Sequence, residues 1–232
     1  MSEVNLSFIA PLLVMLPLLA AGVTLAAGRH TLVQRIISTA VVAACLAGSV
    51  LLLWAADTRG PQVVATGAWV PYEGIVLVVD RLSALMLIVG FTIILGVLWY
   101  SNAEGRESFD QEASGKAPLP IFHPTLLVLS AGVSTTFLSG DLFHLYVGFE
   151  MLLVASFVLL TLGGTRARVR AGTNYVAVSL VSSAVFLTAI ALVYAATGTV
   201  NLAHLAHRLA EVDADTRLAL ELVLLLGFGI KA

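Results

Sequence analysis

The chain contains few charged residues and almost no cysteine, and each shortage excludes classes of protein. Only 11% of its 232 residues are charged, whereas soluble domains carry roughly 25%. A water-soluble fold of this size could not cover so much apolar surface. The net charge of −2 gives no indication of nucleic-acid binding. The single cysteine, Cys45, lies in an apolar run and forms neither an intramolecular disulfide nor a zinc site on its own.

The sequence also lacks the motifs of common cofactor-dependent enzymes. It contains no P-loop, no dinucleotide fingerprint, no nucleophile motif and no cysteine set for an iron–sulfur cluster. We therefore predict a protein that is not an enzyme and that has no cofactor. His204 and His207 are three residues apart, but two histidines fall short of a metal site.

Long apolar runs dominate the sequence instead. Hydrophobic residues make up 59% of the chain, and its mean hydropathy is +0.99. A helix needs about 20 mostly apolar residues to cross a bilayer. The pattern therefore predicts an all-α polytopic membrane protein with about seven transmembrane helices. The predicted spans are residues 6–27, 35–56, 83–100, 124–138, 142–162, 172–196 and 217–232.

Basic residues between these runs orient the predicted helices, because the side richer in Lys and Arg is normally cytoplasmic. One side has Arg29, Arg35, Arg106, Lys116, Arg166, Arg168 and Arg170, and the other has Arg59, Arg81, Arg208 and Arg217. The N-terminus is therefore predicted to lie outside the cell. Segments 103–120 and 165–170 are predicted cytoplasmic loops. Segment 197–216 is predicted to be external and to hold a short helix around 202–211, and segment 67–80 an interfacial hairpin or loop.

The last apolar run is short and has no polar flank. It ends at Ile230-Lys231-Ala232 after about 16 residues, too few for a comfortable span. We therefore expect the chain to be part of a longer protein. An intact mass of the native protein near 24.4 kDa would contradict this expectation.

Two ionisable residues lie deep within the predicted helices. Glu150 is nine residues after Asp141, about 13 Å along a helix. Lys231 is fourteen residues after Arg217, about 21 Å along the last helix. Charges at such depth are costly unless they are paired or hydrated, so each is a candidate functional residue. Forming and breaking a Glu150–Lys231 pair would gate proton loading; the alternative is a static pair that only fixes helix packing.

Polar residues near this pair are further candidates for proton translocation. Asp141 suits the N-terminus of the fifth predicted helix. His144 is three residues later; it could pair with Asp141 and relay protons through water, or be an ordinary interfacial histidine. In the sixth predicted helix, polar side chains could line a hydrated path or form interhelical hydrogen bonds. These are Ser179, Ser182, Ser183 and Thr188.

Two glycines precede the buried lysine. Gly227 and Gly229 would weaken the last helix next to Lys231, and transporters use broken helices at sites in the middle of the membrane. Close helix packing through small residues is an equally good explanation.

Residues 137–156, FLSGDLFHLYVGFEMLLVAS, resemble the fifth-helix signature of antiporter-like proton-translocating membrane subunits. This superfamily includes the large membrane subunits of complex I and the Mrp-type antiporters. Three further stretches, DRLSALM at 80–86, YAATGTVNLA at 194–203 and GFGIKA at 227–232, are most similar to the D-type subunits of Mrp antiporters. The resemblance covers nearly the whole chain.

The resemblance implies a fold of fourteen helices with two inverted five-helix repeats. Residues 1–122 would then form an N-terminal three-helix segment with a cytoplasmic loop, and residues 123–232 the truncated first repeat. It also implies a glutamate on the fifth helix paired with a lysine on a broken seventh helix, and Glu150 and Lys231 occupy those motif positions. No redox cofactor is implied for such a protein.

The implied activity is exchange of internal Na⁺, or K⁺, for external protons by a hetero-oligomeric complex in the cytoplasmic membrane. The partners are the other antiporter subunits, the transported ions and the lipid bilayer, with no nucleic acid. One alternative is a proton-pumping membrane subunit of an NADH–quinone oxidoreductase or hydrogenase complex. A second alternative is an assembly scaffold that does not transport ions.

The sequence departs from the family pattern at two positions. His144 stands where the resemblance leads us to expect asparagine, and Gly148 where a bulky aromatic residue is expected. We expect the first change to alter proton access and the second to loosen the helix around Glu150.

Overall fold

A computed structural model describes residues 8–66, 74–103 and 121–231, and within these ranges the chain is mainly helical. Residues 67–73 of the predicted interfacial segment and nearly all of the predicted loop at 103–120 lie outside the described residues, as does the start of the first predicted span. The elements are α1 (Ile9–Ala26), α2 (Thr31–Arg59), β1 (Gln62–Ala65), β2 (Val76–Val79), α3 (Arg81–Ala103), α4 (Phe122–Leu138), α5 (Leu142–Thr161), α6 (Arg166–Thr197), α7 (Leu202–Glu211) and α8 (Ala214–Lys231).

The prediction of a mainly helical chain with several long apolar helices is confirmed. Five helices in the described ranges, α1, α2, α3, α5 and α6, are long and apolar enough to cross a membrane. The two other predicted spans are also helical, but α4 has only 17 residues, and α8 carries four charged residues. The short helix predicted in the segment 197–216 is α7, whose polar exposed face and buried Leu205 make it amphipathic.

The prediction of a loop at 165–170 is wrong, because α6 already begins at Arg166. Gly163 and Gly164 have positive φ angles of 91° and 58° and complete the turn after α5. The Thr165 hydroxyl then accepts the backbone N–H of Arg168 at 3.3 Å and caps the new helix. The three arginines of this segment therefore lie on the first turns of a helix.

Helices α1 to α4 form one packed bundle around an apolar core. Its largest fully buried side chains include Phe91 and Leu87 on α3 and Leu127 on α4. Helix α5 packs along α4 on one side and along α6 on the other, and α8 packs against α6. The chain thus builds a second, smaller group of helices next to the first bundle, with its own apolar cluster around Phe186.

A short β-hairpin, whose second strand lies within the predicted interfacial hairpin or loop at 67–80, helps to hold the start of α5. Its strands are antiparallel and rich in valine, with Val63 paired to Val78. On the free edge of β2, the backbone N–H of Gly140 donates to the carbonyl of Val76 at 2.8 Å. A Cβ atom on Gly140 would lie 2.8 Å from that carbonyl oxygen, so this contact requires glycine.

The opposite side of the same connection pairs with the segment that follows α6. Asp141 forms a β-bridge with Asn201, and the backbone N–H of Leu142 donates to the carbonyl of Val200 at 2.9 Å. The C-terminal end of α6 is thereby tied to the N-terminal end of α5. This arrangement makes α5 and α6 antiparallel and fixes which of their residues face each other.

Candidate functional site

Three polar side chains from three helices meet in the second group of helices. The Nζ atom of Lys231 on α8 lies 2.8 Å from Oε1 of Glu150 on α5. It also lies 2.7 Å from Oγ of Ser183 on α6. Ser183 Oγ in turn lies 2.6 Å from the same Glu150 oxygen. We call these three residues the polar triad.

The polar triad is largely enclosed. The side chain of Lys231 is 10% exposed and that of Glu150 27%, and Ser183 is buried. Opposite charges that share hydrogen bonds offset part of the cost of leaving water. The structure thus brings together the two ionisable residues that the sequence singled out.

The hydrogen bonds of the triad run in one direction. The ammonium group of Lys231 has only donors, and an ionised carboxylate only accepts. Lys231 therefore donates to both Glu150 and Ser183, while the Ser183 hydroxyl donates its one proton to Glu150. The closed ring suits a charged glutamate and a charged lysine.

An aromatic layer lies directly beside the triad, on the side of Asp141. Its rings belong to Tyr146 and Phe149 on α5, Phe186 on α6 and Phe228 on α8. The Phe186 and Phe228 centroids are 4.7 Å apart, and Phe186 lies 6.0 Å from Phe149 and 6.1 Å from Tyr146. Phe186 itself is fully buried. Three of the four rings stand one turn from a triad residue, so the layer forms an apolar boundary next to the ion pair.

Asp141 and His144 lie toward the other side of this boundary. Asp141 is the N-cap of α5, and its Oδ1 accepts the backbone N–H of His144 at 2.6 Å. In the described part of the chain, Nε2 of His144 and Oδ2 of Asp141 have no hydrogen-bond partner. The bond between these residues is therefore a helix cap, and the predicted pairing of their side chains is not seen in the structure.

The predicted break at Gly227 and Gly229 is not present in the described helix. Helix α8 continues through both glycines to Lys231. Close packing explains the glycine at position 227, because a Cβ atom there would lie 3.0 Å from Phe186 Cδ2 and 3.2 Å from its Cα. Gly227 thus brings α8 close to α6, which is the alternative explanation drawn from the sequence.

Gly148 also has a packing role, and the expectation that it loosens α5 is wrong. A Cβ atom there would lie 2.6 Å from Oγ1 and 2.9 Å from the backbone N of Thr136 on α4. The glycine therefore allows α4 and α5 to pack tightly behind Glu150. A bulky aromatic side chain at this position could not be accommodated in this arrangement.

Sequence reasoning did not select Ser183 from the polar residues of its helix. Its neighbour Ser182 is equally buried, but its hydroxyl has no partner among the described residues. Only the rotation of α6 against α5 and α8 distinguishes the two serines. Across the described ranges, no cluster of three His, Cys, Asp or Glu residues is placed to hold a metal ion.

The sequence around the triad is similar to that of known membrane antiporters. Residues 139–232, which carry the whole triad, match a family model described as NADH:quinone oxidoreductase/Mrp antiporter, transmembrane. The chain is 36% identical over 220 residues to the D subunit of the Na⁺/H⁺ antiporter of Bacillus subtilis (strain 168). It is 41% identical over 176 residues to the D subunit of a probable K⁺/H⁺ antiporter of Rhizobium meliloti (strain 1021).

A solved structure supports the same relationship. The chain superimposes on a chain of the Mrp complex from Dietzia sp. DQ12-45-1b with a TM-score of 0.80, at 30% identity and over 97% of its length.

The chain spans less than half the length of these proteins. The matches cover 94% and 75% of this chain but 43% and 31% of the two relatives, and 40% of the Dietzia chain. This coverage fits the prediction that the sequence corresponds to the first part of a longer fold. The similar sequences, the similar structure and the apolar helices all support one conclusion. Among relatives named as D subunits of cation/proton antiporters, the chain belongs to the NADH:quinone oxidoreductase/Mrp antiporter family of multi-pass cell-membrane proteins.

Proposed function

We propose that the chain is part of a subunit that exchanges protons for a monovalent cation within a hetero-oligomeric complex of the cytoplasmic membrane. Relatives named for Na⁺/H⁺ and for K⁺/H⁺ antiport support this class of activity. Na⁺ is the cation that we propose, and K⁺ is the alternative. No enzymatic step is assigned to the chain.

The observation that carries this proposal is the 2.8 Å contact between Lys231 Nζ and Glu150 Oε1. A charged pair at this separation attracts by several kcal/mol even at the effective dielectric of protein sites. Protonation of Glu150 removes that attraction, and deprotonation restores it. Each change of protonation therefore alters the electrostatic environment of Lys231, which is the property required of a proton-loading site.

Asp141 and His144 take a secondary place in this mechanism. They lie toward the outer side of the proposed topology, beyond the aromatic layer. We propose that they affect proton access from that side, whereas Glu150 and Lys231 hold the transferred proton. The two pairs of residues would then respond differently to substitution.

The proposed topology has seven crossings with the N-terminus outside. Helix α4 has 17 residues, about 25 Å at 1.5 Å per residue, which is close to the thickness of the hydrocarbon core. Helix α8 has its acidic and basic residues mainly at its start and Lys231 at its end. Residues 1–122 would form the N-terminal three-helix segment, and residues 123–232 the beginning of the first repeat of a fourteen-helix fold.

The experiment that tests this proposal is transport in everted membrane vesicles. The complete complex, with the full-length protein, is expressed in cells that lack other antiporters. Addition of Na⁺ or K⁺ to vesicles that hold a respiratory pH gradient should collapse the gradient. Glu150→Gln should remove this collapse, because it keeps the size of the side chain but cannot form the ion pair.

The matched control is Glu221→Gln on α8. Glu221 is exposed and forms only a 3.7 Å ion pair with Arg217, so transport should be nearly unchanged. Absence of cation-dependent collapse in the wild-type complex, with normal assembly, would reject antiport. That result would favour either a redox-driven proton pump or a scaffold, and a Glu150→Gln effect on proton pumping would separate the two.

A further inference from the structure

We propose that Ser183 is a positioning residue that couples Glu150 to Lys231 and thereby sets the pH dependence of their exchange of protons. The inference rests on the proposed function of the ion pair, and it adds a third residue from a third helix. Ser183 does not itself carry the transferred proton. Its role is to hold the carboxylate and the ammonium group in one geometry.

The packing of the helices favours a bridging residue. The backbone of helix α6 lies close to both α5 and α8, whereas α5 and α8 meet mainly through side chains, at the ion pair and at the Phe149–Phe228 ring contact. The ion pair therefore spans two helices that are held in place through a third. Ser183 is the point on α6 that contacts both charges, at 2.6 Å from Glu150 and 2.7 Å from Lys231.

The direction of the Ser183 hydroxyl is unusual for this chain. Many other helical serine and threonine hydroxyls donate to a carbonyl one turn earlier, as Ser130 does to Leu126 and Thr188 to Ala184. Ser183 donates its single proton to Glu150 instead. Its oxygen then accepts from Lys231, so the hydroxyl relays polarisation between the two charges.

A hydroxyl can serve both protonation states of the site. It donates to an ionised Glu150, and after rotation it can accept a hydrogen bond from a protonated one. Alanine can do neither and would leave the two charges held only by each other. Hydrogen bonds to charged groups are among the stronger ones in proteins, so their loss should change transport about tenfold or more.

Glu150 has two side-chain hydrogen-bond partners in the described part of the chain. Lys231 approaches from α8 and Ser183 from α6, and Tyr146 stands one turn earlier on α5 itself. On α4, Thr136 packs tightly against Gly148, which lies two residues before Glu150 on α5. A displaced pH profile in a Ser183 variant can therefore be traced to the triad.

The test compares Ser183→Ala, Ser183→Thr and Ser182→Ala in the complete complex, using the vesicle assay across about pH 6 to 9. Ser182→Ala is the matched control, since Ser182 is adjacent and equally buried but has no partner in the described residues. We expect Ser183→Ala to slow exchange about tenfold and to displace the pH of half-maximal activity. Ser183→Thr, which keeps the hydroxyl, should retain most of the wild-type exchange rate and pH profile. Ser182→Ala should match the wild type in both measurements.

A second measurement does not depend on transport. The thermal unfolding of the purified complex is followed for Ser183→Ala in the wild-type background and in the Glu150→Gln background. We expect Ser183→Ala to lower the unfolding temperature in the first background and to have much less effect in the second, because the two residues are coupled.

The outcomes separate this inference from the proposed function. A wild-type complex without cation-dependent collapse would reject antiport, and the unfolding cycle would still decide whether Ser183 is coupled to Glu150. Active wild-type vesicles with an unchanged rate and pH profile for Ser183→Ala would overturn the inference. Equal effects of Ser182→Ala and Ser183→Ala would overturn it as well, since they would indicate a packing role alone.

Discussion

Gly227 of α8 lies directly against Phe186 of α6, with no space between them for a side chain. A Cβ atom on Gly227 would be 3.0 Å from the Phe186 ring and 3.2 Å from its Cα. The ring cannot move freely, because it is fully buried and its centroid lies 4.7 Å from that of Phe228. This close approach positions the last turn of α8, from which Lys231 reaches Glu150.

Gly227→Ala should therefore destabilise the protein and disturb the ion pair. We expect a loss of about 1–3 kcal/mol, as is usual for overpacking. The matched control is Gly229→Ala, because a Cβ atom at Gly229 would have no neighbour within 4 Å. That variant should be neutral or slightly stabilising, since alanine favours a helix by about 1 kcal/mol over glycine. Thermal unfolding of the purified complex measures both, and equal effects would contradict this assignment.

Gly148→Ala should destabilise the protein at least as much as Gly227→Ala, because the added Cβ atom would collide with backbone atoms, which cannot rotate away as a side chain can. A Cβ atom at Gly148 would lie 2.9 Å from the backbone N of Thr136, so α4 and α5 would have to separate. A loss of about 2–3 kcal/mol is expected, together with reduced transport. Gly96→Ala on α3, where nothing lies within 4 Å, serves as the control. A fully stable Gly148→Ala protein would show that the two helices adjust easily.

His144→Asn should leave most transport activity intact, in contrast to Glu150→Gln. The cap at the start of α5 uses the backbone N–H of His144, which the substitution keeps. The aromatic layer also stands between this residue and the triad. We expect less than about a threefold change in exchange rate, corresponding to about 0.7 kcal/mol, measured in the vesicle assay. A loss similar to that of Glu150→Gln would instead place His144 on an obligatory proton path.

Asp80 should make stability depend on pH at the start of α3. Its Oδ1 accepts both the hydroxyl and the backbone N–H of Ser83, each at 2.6 Å. These hydrogen bonds, the hydroxyl first, hold the pKa of the Asp80 carboxyl below its usual value. Because the folded pKa is depressed, this stabilisation is present above the unfolded value of about 3.9 and is lost as pH falls through the folded value.

Asp80→Ala should consequently cost about 1 kcal/mol at about pH 7, and the difference from wild type should narrow below about pH 4. Thermal unfolding across this pH range measures the effect. Asp57→Ala is the control: its ion pair with Arg81 is 2.9 Å long, but both side chains are more than half exposed. That pair should contribute less than about 1 kcal/mol. A pH-independent cost for Asp80→Ala would contradict the role of the charged carboxylate.

Two alanine-to-cysteine variants test the proposed orientation. Ala167 is exposed at the start of α6, on the proposed cytoplasmic side, and Ala210 is exposed on α7, on the proposed outer side. A membrane-impermeant maleimide added to intact cells should label Ala210→Cys and not Ala167→Cys. Everted vesicles should give the reverse. Native Cys45 is fully buried and should remain unlabelled throughout, and the opposite pattern would invert the topology.

The helices themselves could be predicted from the sequence, because apolar length alone makes a segment insert in a bilayer as a helix. All seven predicted runs contain a helix in the structure, and the short amphipathic helix α7 was also predicted. The start of α6 was placed too late, since three arginines suggested a loop while the Thr165 cap lies one residue before them. Local capping prevailed there over polarity.

The two charges of the candidate site were likewise evident from the sequence, because a buried glutamate and a buried lysine stand out against an apolar background. Their 2.8 Å contact, the selection of Ser183 over Ser182 and the aromatic layer beside them depend on how α6 is rotated between α5 and α8. Neighbouring serines are about 100° apart on a helix, and composition does not distinguish them. The sequence by itself determined which segments are helical and which residues are costly to bury; tertiary packing, through close approaches such as those at Gly148 and Gly227, decided which of them meet.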